Sequence, residues 1–196
     1  MAKAGKVGKA VLDADAAAVE AVEPHRQSFA VRLLDPVAEL GDQPQMRVLC
    51  GSVIAVGLVG GDPKLARTGL KMLAAHTLAT WVKDFVKHRV DRTRPRGLHK
   101  PNKDHHPTPG RSQAKDETSF PSGHSAGAAA VAGAYAREYP EQAVPALAAG
   151  AALALAQIPR CAHYPTDVGA GLAIGLLSEA AVDAVFRFTE ERLSSA

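Results

Sequence analysis

The sequence predicts an all-α protein, a bundle of about five core helices with amphipathic helices ahead of it and a functional site at one end. Three observations carry this. Alanine supplies 38 of the 196 residues and aromatic residues only 5%, a composition that favours close-packed helices over a β-sandwich. Uncharged stretches of helical length recur at 48–61, 72–82, 122–136, 142–159 and 168–178. No strand-like alternation and no internal repeat interrupts them. The length fits one domain and can bury a full core without disulfides. Cys50 and Cys161 lie far apart, and no CxxC occurs, so disulfide scaffolds and zinc fingers are excluded.

In chain order, residues 8–40 read as one or two amphipathic helices, broken near Pro24 and Pro36, because proline removes a donor and clashes with the preceding turn. A polar connector at 41–45 separates this N-terminal segment, 1–45, from a bundle at 46–196. The first apolar helix covers about 46–60 and ends at Gly60-Gly61-Asp62-Pro63, a turn sequence. A second helix, about 64–90, has an apolar centre and basic ends. Residues 95–121 form a loop rich in Pro, Gly, His and Lys; structureless loops of that length are often functional. A third helix starts near Ser122 and ends before Tyr139-Pro140. A fourth covers about 142–157, an irregular segment follows at 159–165, and the last helix runs over about 166–192. Gly127, Gly171 and Gly175, set among alanines, allow close approach of helix backbones.

None of the uncharged stretches is a clean membrane span of about 20 apolar residues. A multi-pass membrane protein and a soluble helical bundle therefore both fit the hydropathy. No apolar run follows Lys3, Lys6 and Lys9, so no secretory signal is expected. The net charge is +3, but residues 87–117 hold nine Lys/Arg against four acids. Such a patch needs an anionic partner: a nucleic acid, a phospholipid surface or a phosphorylated substrate. The interleaved aromatics of a nucleic-acid module are missing, so no nucleic-acid partner is expected.

The polar clusters fall at corresponding helix ends. Lys87 to Arg94 closes the second helix, Pro121 to His124 opens the third, and His163 to Asp167 lies between the fourth and fifth. In an up-and-down bundle these points share one face. Lys87, six residues and then Arg94-Pro95 resemble the first signature of the type 2 phosphatidic acid phosphatase (PAP2) and vanadium haloperoxidase superfamily. Pro121-Ser122-Gly123-His124 resembles the second signature, and His163-Tyr164-Pro165-Thr166-Asp167 the end of the third. The resemblance covers about residues 65–180. A four-letter motif says little by itself; three in order, at matching helix ends, say much more. The lipid phosphatase branch is the better fit, since haloperoxidases are much longer.

The residue types suit phosphoryl transfer in their own right. Its transition state needs equatorial oxygens held by fixed positive charge and N–H donors. Lys87 and Arg94 supply charge, Arg94 with a planar fork suited to phosphate. Ser122 and Gly123 open a helix, where free N–H groups favour an anion. His163 and Asp167 are one helical turn apart, so the carboxylate can fix the imidazole tautomer. That makes His163 the nucleophile, as the resemblance also implies, and His124 the acid that protonates the leaving alkoxide. No metal and no cofactor are expected. The resemblance implies a lipid phosphate or diphosphate as substrate, a cell membrane crossed several times as the location, and a phosphohistidine intermediate as the mechanism.

One position departs from the family pattern. An arginine six residues before the third-motif histidine is replaced by Gln157, which brings no charge. Arg160, three residues before His163, is the nearest substitute for phosphate contact; the alternative is a weakened site. Two other functions stay open: a soluble or peripheral acid phosphatase acting on small phosphomonoesters, and a non-catalytic membrane protein that keeps a phosphate-headgroup pocket. His99, His105 and His106 read as solvated loop histidines rather than metal ligands. His76 reads as a polar residue facing a helix partner, and Trp81 with Phe85 as core or interfacial packing. Cys161 beside Arg160 is a candidate for a lowered thiol pKa, although the CxxxxxR loop of a cysteine phosphatase is absent.

Overall fold

In the computed structural model, residues 2–97 and 106–195 are described. The elements are α1 (Ala2–Val22), a 3-10 turn (Glu23–His25), α2 (Phe29–Arg32), α3 (Leu34–Glu39), α4 (Gln43–Val59), α5 (Pro63–Lys87), α6 (Gly123–Glu138), α7 (Ala143–Leu155) and α8 (Pro165–Ser194). The five expected core helices are α4 to α8. A two-stranded antiparallel ribbon, β1 (Val90–Asp91) with β2 (Thr108–Pro109), corrects the reading of a strand-free chain. It is too short to leave an alternating pattern in the sequence.

Local signals set the helix boundaries. Asp62 caps α5 by accepting a 2.9 Å hydrogen bond from Leu65 N, and Pro63 occupies the first helical position, where its missing N–H costs nothing. Gly61, with φ of 66°, turns the chain between α4 and α5. Tyr164 and Asp167 form a capping box at the start of α8, with Tyr164 N donating to Asp167 Oδ2 at 2.9 Å. The chain breaks at Pro24 as expected, and near Pro36 the break falls at Leu33, between α2 and α3. Pro36 sits in the first turn of α3, where an N–H has no intrahelical acceptor to lose.

α6 lies at the centre, against α5, α7 and α8. From Ser125 to Ala134 every residue is buried, and all but one are Gly, Ala or Ser, so neighbouring backbones come close. An added Cβ on Gly171 would lie 2.4 Å from the Ser122 carbonyl oxygen, and one on Gly175 2.4 Å from that of Ala126. Only glycine admits this α6–α8 approach. His76, 1% exposed, faces α6 at Gly127, in line with the reading of a polar residue against a helix partner.

The outer surface of the bundle is apolar. Val56, Val59, Leu70, Leu147, Leu177 and Phe188 are exposed on α4, α5, α7 and α8. Trp81 and Phe85, 69% and 60% exposed, belong to this surface, which removes the core-packing reading. By length and composition α8 alone, among the described residues, can cross a membrane; α4 is apolar but shorter. At the end of the bundle away from the α6 N-terminus, Lys71 Nζ lies 2.6 Å from both Glu138 and Asp183, and Arg137 pairs with Glu179. This charge cluster ties α5, α6 and α8 together where their burial would otherwise strand single charges.

Candidate active site

The N-terminus of α6, the C-terminus of α5, the α7–α8 connection and the segment around α3 enclose a cavity of about 390 Å³. Lys87, Arg94, Gly123, His124, Gln157, Arg160 and His163 all line it. Chain folding thus brings together three groups that lie up to 76 residues apart in sequence, from Lys87 to His163.

His163 sits in the α7–α8 connection and is 2% exposed. Its Nε2 lies 3.4 Å from Arg94 Nη1. Its Nδ1 lies 3.6 Å from Asp167 Oδ2, just beyond hydrogen-bond length. Asp167 is itself fully buried and held from three sides. Arg92 Nη1 donates to its Oδ1 at 2.6 Å, while Ser119 Oγ and Tyr164 N donate to its Oδ2. A carboxylate fixed this way orients whatever ring stands beside it.

Burial, reinforced by the charge of Arg94, pushes the His163 imidazole from 6.5 down to about 4. The ring is therefore neutral at neutral pH, and Nε2 keeps its lone pair. The unfolded chain takes up this proton near pH 6.5, so the stabilisation is complete above that value and is lost as pH falls towards 4. Its upper limit is about 3 kcal/mol. Between pH 6.5 and 4 the melting temperature of wild type should fall more steeply than that of His163→Gln; equal slopes would contradict a neutral buried His163.

Arg94 is anchored by Lys115 O at 2.7 Å and Ala162 O at 3.2 Å. Burial and the nearby Arg96 lower its guanidinium to about 10, which still leaves it charged at neutral pH. Gly123 and His124 occupy the first turn of α6, whose N–H groups have no intrahelical acceptors. His124 Nε2 is held 2.9 Å from Asp42 Oδ1.

Ser122 is not among the residues that line the cavity. It is fully buried outside the cavity; its N–H donates to Asp167 O at 3.0 Å, and its Oγ accepts from Ser125 N. Ser122 caps α6 and joins it to α8. Gln157, also buried, accepts a 3.3 Å hydrogen bond from Arg160 Nη1. Arg160 therefore shares the cavity wall with the glutamine that stands where the family has arginine. Cys161, with a left-handed φ of 51°, has its thiol pushed up by burial, which corrects the reading of a lowered pKa. His99 and His105 lie outside the described residues; His106 is partly buried, two residues before β2.

Several contributors escape sequence reasoning. Lys83 lines the cavity one turn before Lys87, a spacing that could have revealed it. Arg92, 2% exposed, joins Asp167 to Asp15 of α1 and stacks over the Tyr164 ring at 4.0 Å. Asp15 also accepts from Thr166 N at 3.0 Å. Asp35 and Asp42, from the same N-terminal region, reach Arg160 and His124. These acids pair with the site across 77 residues or more, and no local pattern marks them.

Comparison with known proteins agrees with this arrangement. A sequence profile of the PAP2 superfamily matches residues 68–190. No curated protein sequence matches the chain. Among solved structures, the fold is similar to a transmembrane PAP2 type phosphatidylglycerolphosphate phosphatase from Bacillus subtilis, with a TM-score of 0.64 and 21% identity over 91% of this chain and 87% of that one. With the family profile covering α5 through most of α8, and its three signatures meeting in one cavity, the chain belongs to the PAP2 superfamily and is a phosphatase, a phosphoric ester hydrolase.

Proposed function

We propose that the protein hydrolyses a lipid phosphate or diphosphate without a metal, through a phosphohistidine at His163. The observation that carries this is a buried imidazole with one nitrogen against Arg94 and the other towards a fixed carboxylate. The reacting phosphoryl group sits among Lys83, Lys87, Arg94 and Arg160 and accepts from the N–H groups of Gly123 and His124. Those cations and donors supply the charge stabilisation that phosphoryl transfer requires. His163 Nε2 attacks phosphorus and the bond to the leaving oxygen breaks. Asp167 holds the Nδ1 proton and stabilises the imidazolium that forms. His124 gives its proton to the leaving alkoxide, then accepts one from the water that attacks the phosphohistidine.

The exposed apolar sides of α4, α5, α7 and α8 support a membrane location, with the site at one end of the bundle. The similar solved structure, a transmembrane phosphatase of a phospholipid phosphate, favours the same reading. Purified protein in EDTA should release phosphate from micellar phosphatidic acid or a prenyl diphosphate, and orthovanadate, which adopts the trigonal-bipyramidal shape, should inhibit it. Release that appears only after a divalent metal is restored, or none from any ester, would overturn the proposal. Higher kcat/KM for a short, water-soluble alkyl phosphate than for any lipid phosphate of the same leaving group would assign the soluble-substrate alternative.

The position of Arg160 supports its taking over phosphate contact from the missing family arginine. Arg160→Ala should lower kcat/KM at least about tenfold, the cost of a charge-assisted hydrogen bond, and Gln157→Ala by much less. Similar small losses in both would point instead to a weakened site.

A further inference from the structure

A second cavity, about 450 Å³, adjoins the first. The two share Arg96, Arg160 and Ala162 as a common wall. Beyond that wall the lining comes from the turn after α1 and from α2 and α3, and includes Arg26, Arg32 and Asp35. Four guanidinium groups thus face one carboxylate. Asp35 is already committed to Arg160, with Oδ1 at 2.7 Å from Nε. Among the described residues, Arg26, Arg32 and Arg96 have no carboxylate in ion-pair range.

Like charges gathered around a concave space repel one another unless an anion occupies it, and guanidinium groups match phosphate oxygens in shape and donor number. Arg160 at the junction shows how an oxyanion fits there, since the Asp35 carboxylate already approaches it from the second cavity. Arg26 and Arg32 precede residue 68, outside the part of the chain that matches the family, so this wall is a feature of the N-terminal segment.

We propose that the second cavity binds another phosphate of the same substrate, so that the preferred substrate carries a second phosphate charge beyond the one that reacts at His163. This rests on the phosphatase reading for the reacting group. The N-terminal segment then acts as the part of the enzyme that reads what lies next to the scissile bond.

The test compares purified full-length wild type with an Arg26→Gln/Arg32→Gln double variant. Three esters share one alkyl chain: a monophosphate, a diphosphate, and a monophosphate joined through a glycerol spacer to a phosphodiester. Wild type should show a KM about tenfold or more lower for at least one doubly charged ester than for the monophosphate. The double variant should lose that advantage, while its kcat and KM for the monophosphate stay within about twofold of wild type. The ester that shows the effect tells whether the second phosphate is bonded directly or across a spacer. No advantage with either doubly charged ester, or an equal loss for all three, overturns the proposal. Calorimetric binding of inorganic pyrophosphate and orthophosphate gives a readout without turnover: pyrophosphate should bind wild type more tightly, and the double variant should narrow the gap. If wild type hydrolyses nothing, the phosphatase reading fails, and the pyrophosphate measurement still decides the arginine cavity.

Discussion

His163→Ala should abolish phosphate release, by a factor on the order of 10⁴ or more, since removing a nucleophile removes the covalent route and leaves only electrostatic binding. The side chain is buried beside Asp167, so the substitution also opens a small cavity. His163→Gln therefore belongs in the same experiment: it fills most of the space and offers no nucleophilic nitrogen. Both variants should retain orthophosphate binding, because Lys87, Arg94 and Arg160 remain. Phosphate release near the wild-type rate from either folded variant would remove the phosphohistidine from the mechanism.

The second large effect belongs to His124 and depends on the leaving group. With an alkyl ester, whose alkoxide is a poor leaving group, His124→Ala should lower kcat about 10²- to 10⁴-fold, the usual range for a positioned acid. With an aryl ester, whose phenolate leaves without a proton, formation of the intermediate should fall far less. His124 Nε2 is held by Asp42 at 2.9 Å in the free protein, and in the proposed mechanism the leaving oxygen takes that place. Equal losses with alkyl and aryl esters in single-turnover experiments would show that His124 positions phosphate and does not protonate the leaving group.

The bundle was legible because its helices are long, alanine-rich and bounded by Asp-Pro, Gly-Gly and Tyr-Pro signals, each of which acts within a few residues. The cavity was legible because Lys87, Arg94, His124 and His163 stand at helix ends that an up-and-down topology brings together. The burial of Ser122 was not legible: its N–H is consumed by the Asp167 carbonyl, a tertiary contact that no spacing encodes. The ribbon of β1 and β2 is two residues per strand, below any periodic signal. The aspartates at 15, 35 and 42 look like ordinary members of amphipathic helices, and their partners lie far along the chain. Trp81 and Phe85 were ambiguous because a four-residue apolar spacing marks one helix face without saying whether protein or another apolar medium covers it.

The contact between Asp15 and the Arg92–Asp167 pair has a consequence for synthesis. Asp15 emerges from the ribosome early, and the Thr166 N–H that it accepts from comes 151 residues later. At about 5–20 residues per second, that interval lasts about 8–30 s. Until α8 begins to form, Arg92 has only one of its two buried carboxylates, and the ring of His163 has no orienting group. A nascent or prematurely ended chain therefore holds the cationic cavity wall without its chemistry. The site's geometry is therefore complete only when the two ends of the chain meet, so the order of synthesis keeps a half-made chain without the Asp15–Arg92–Asp167 support.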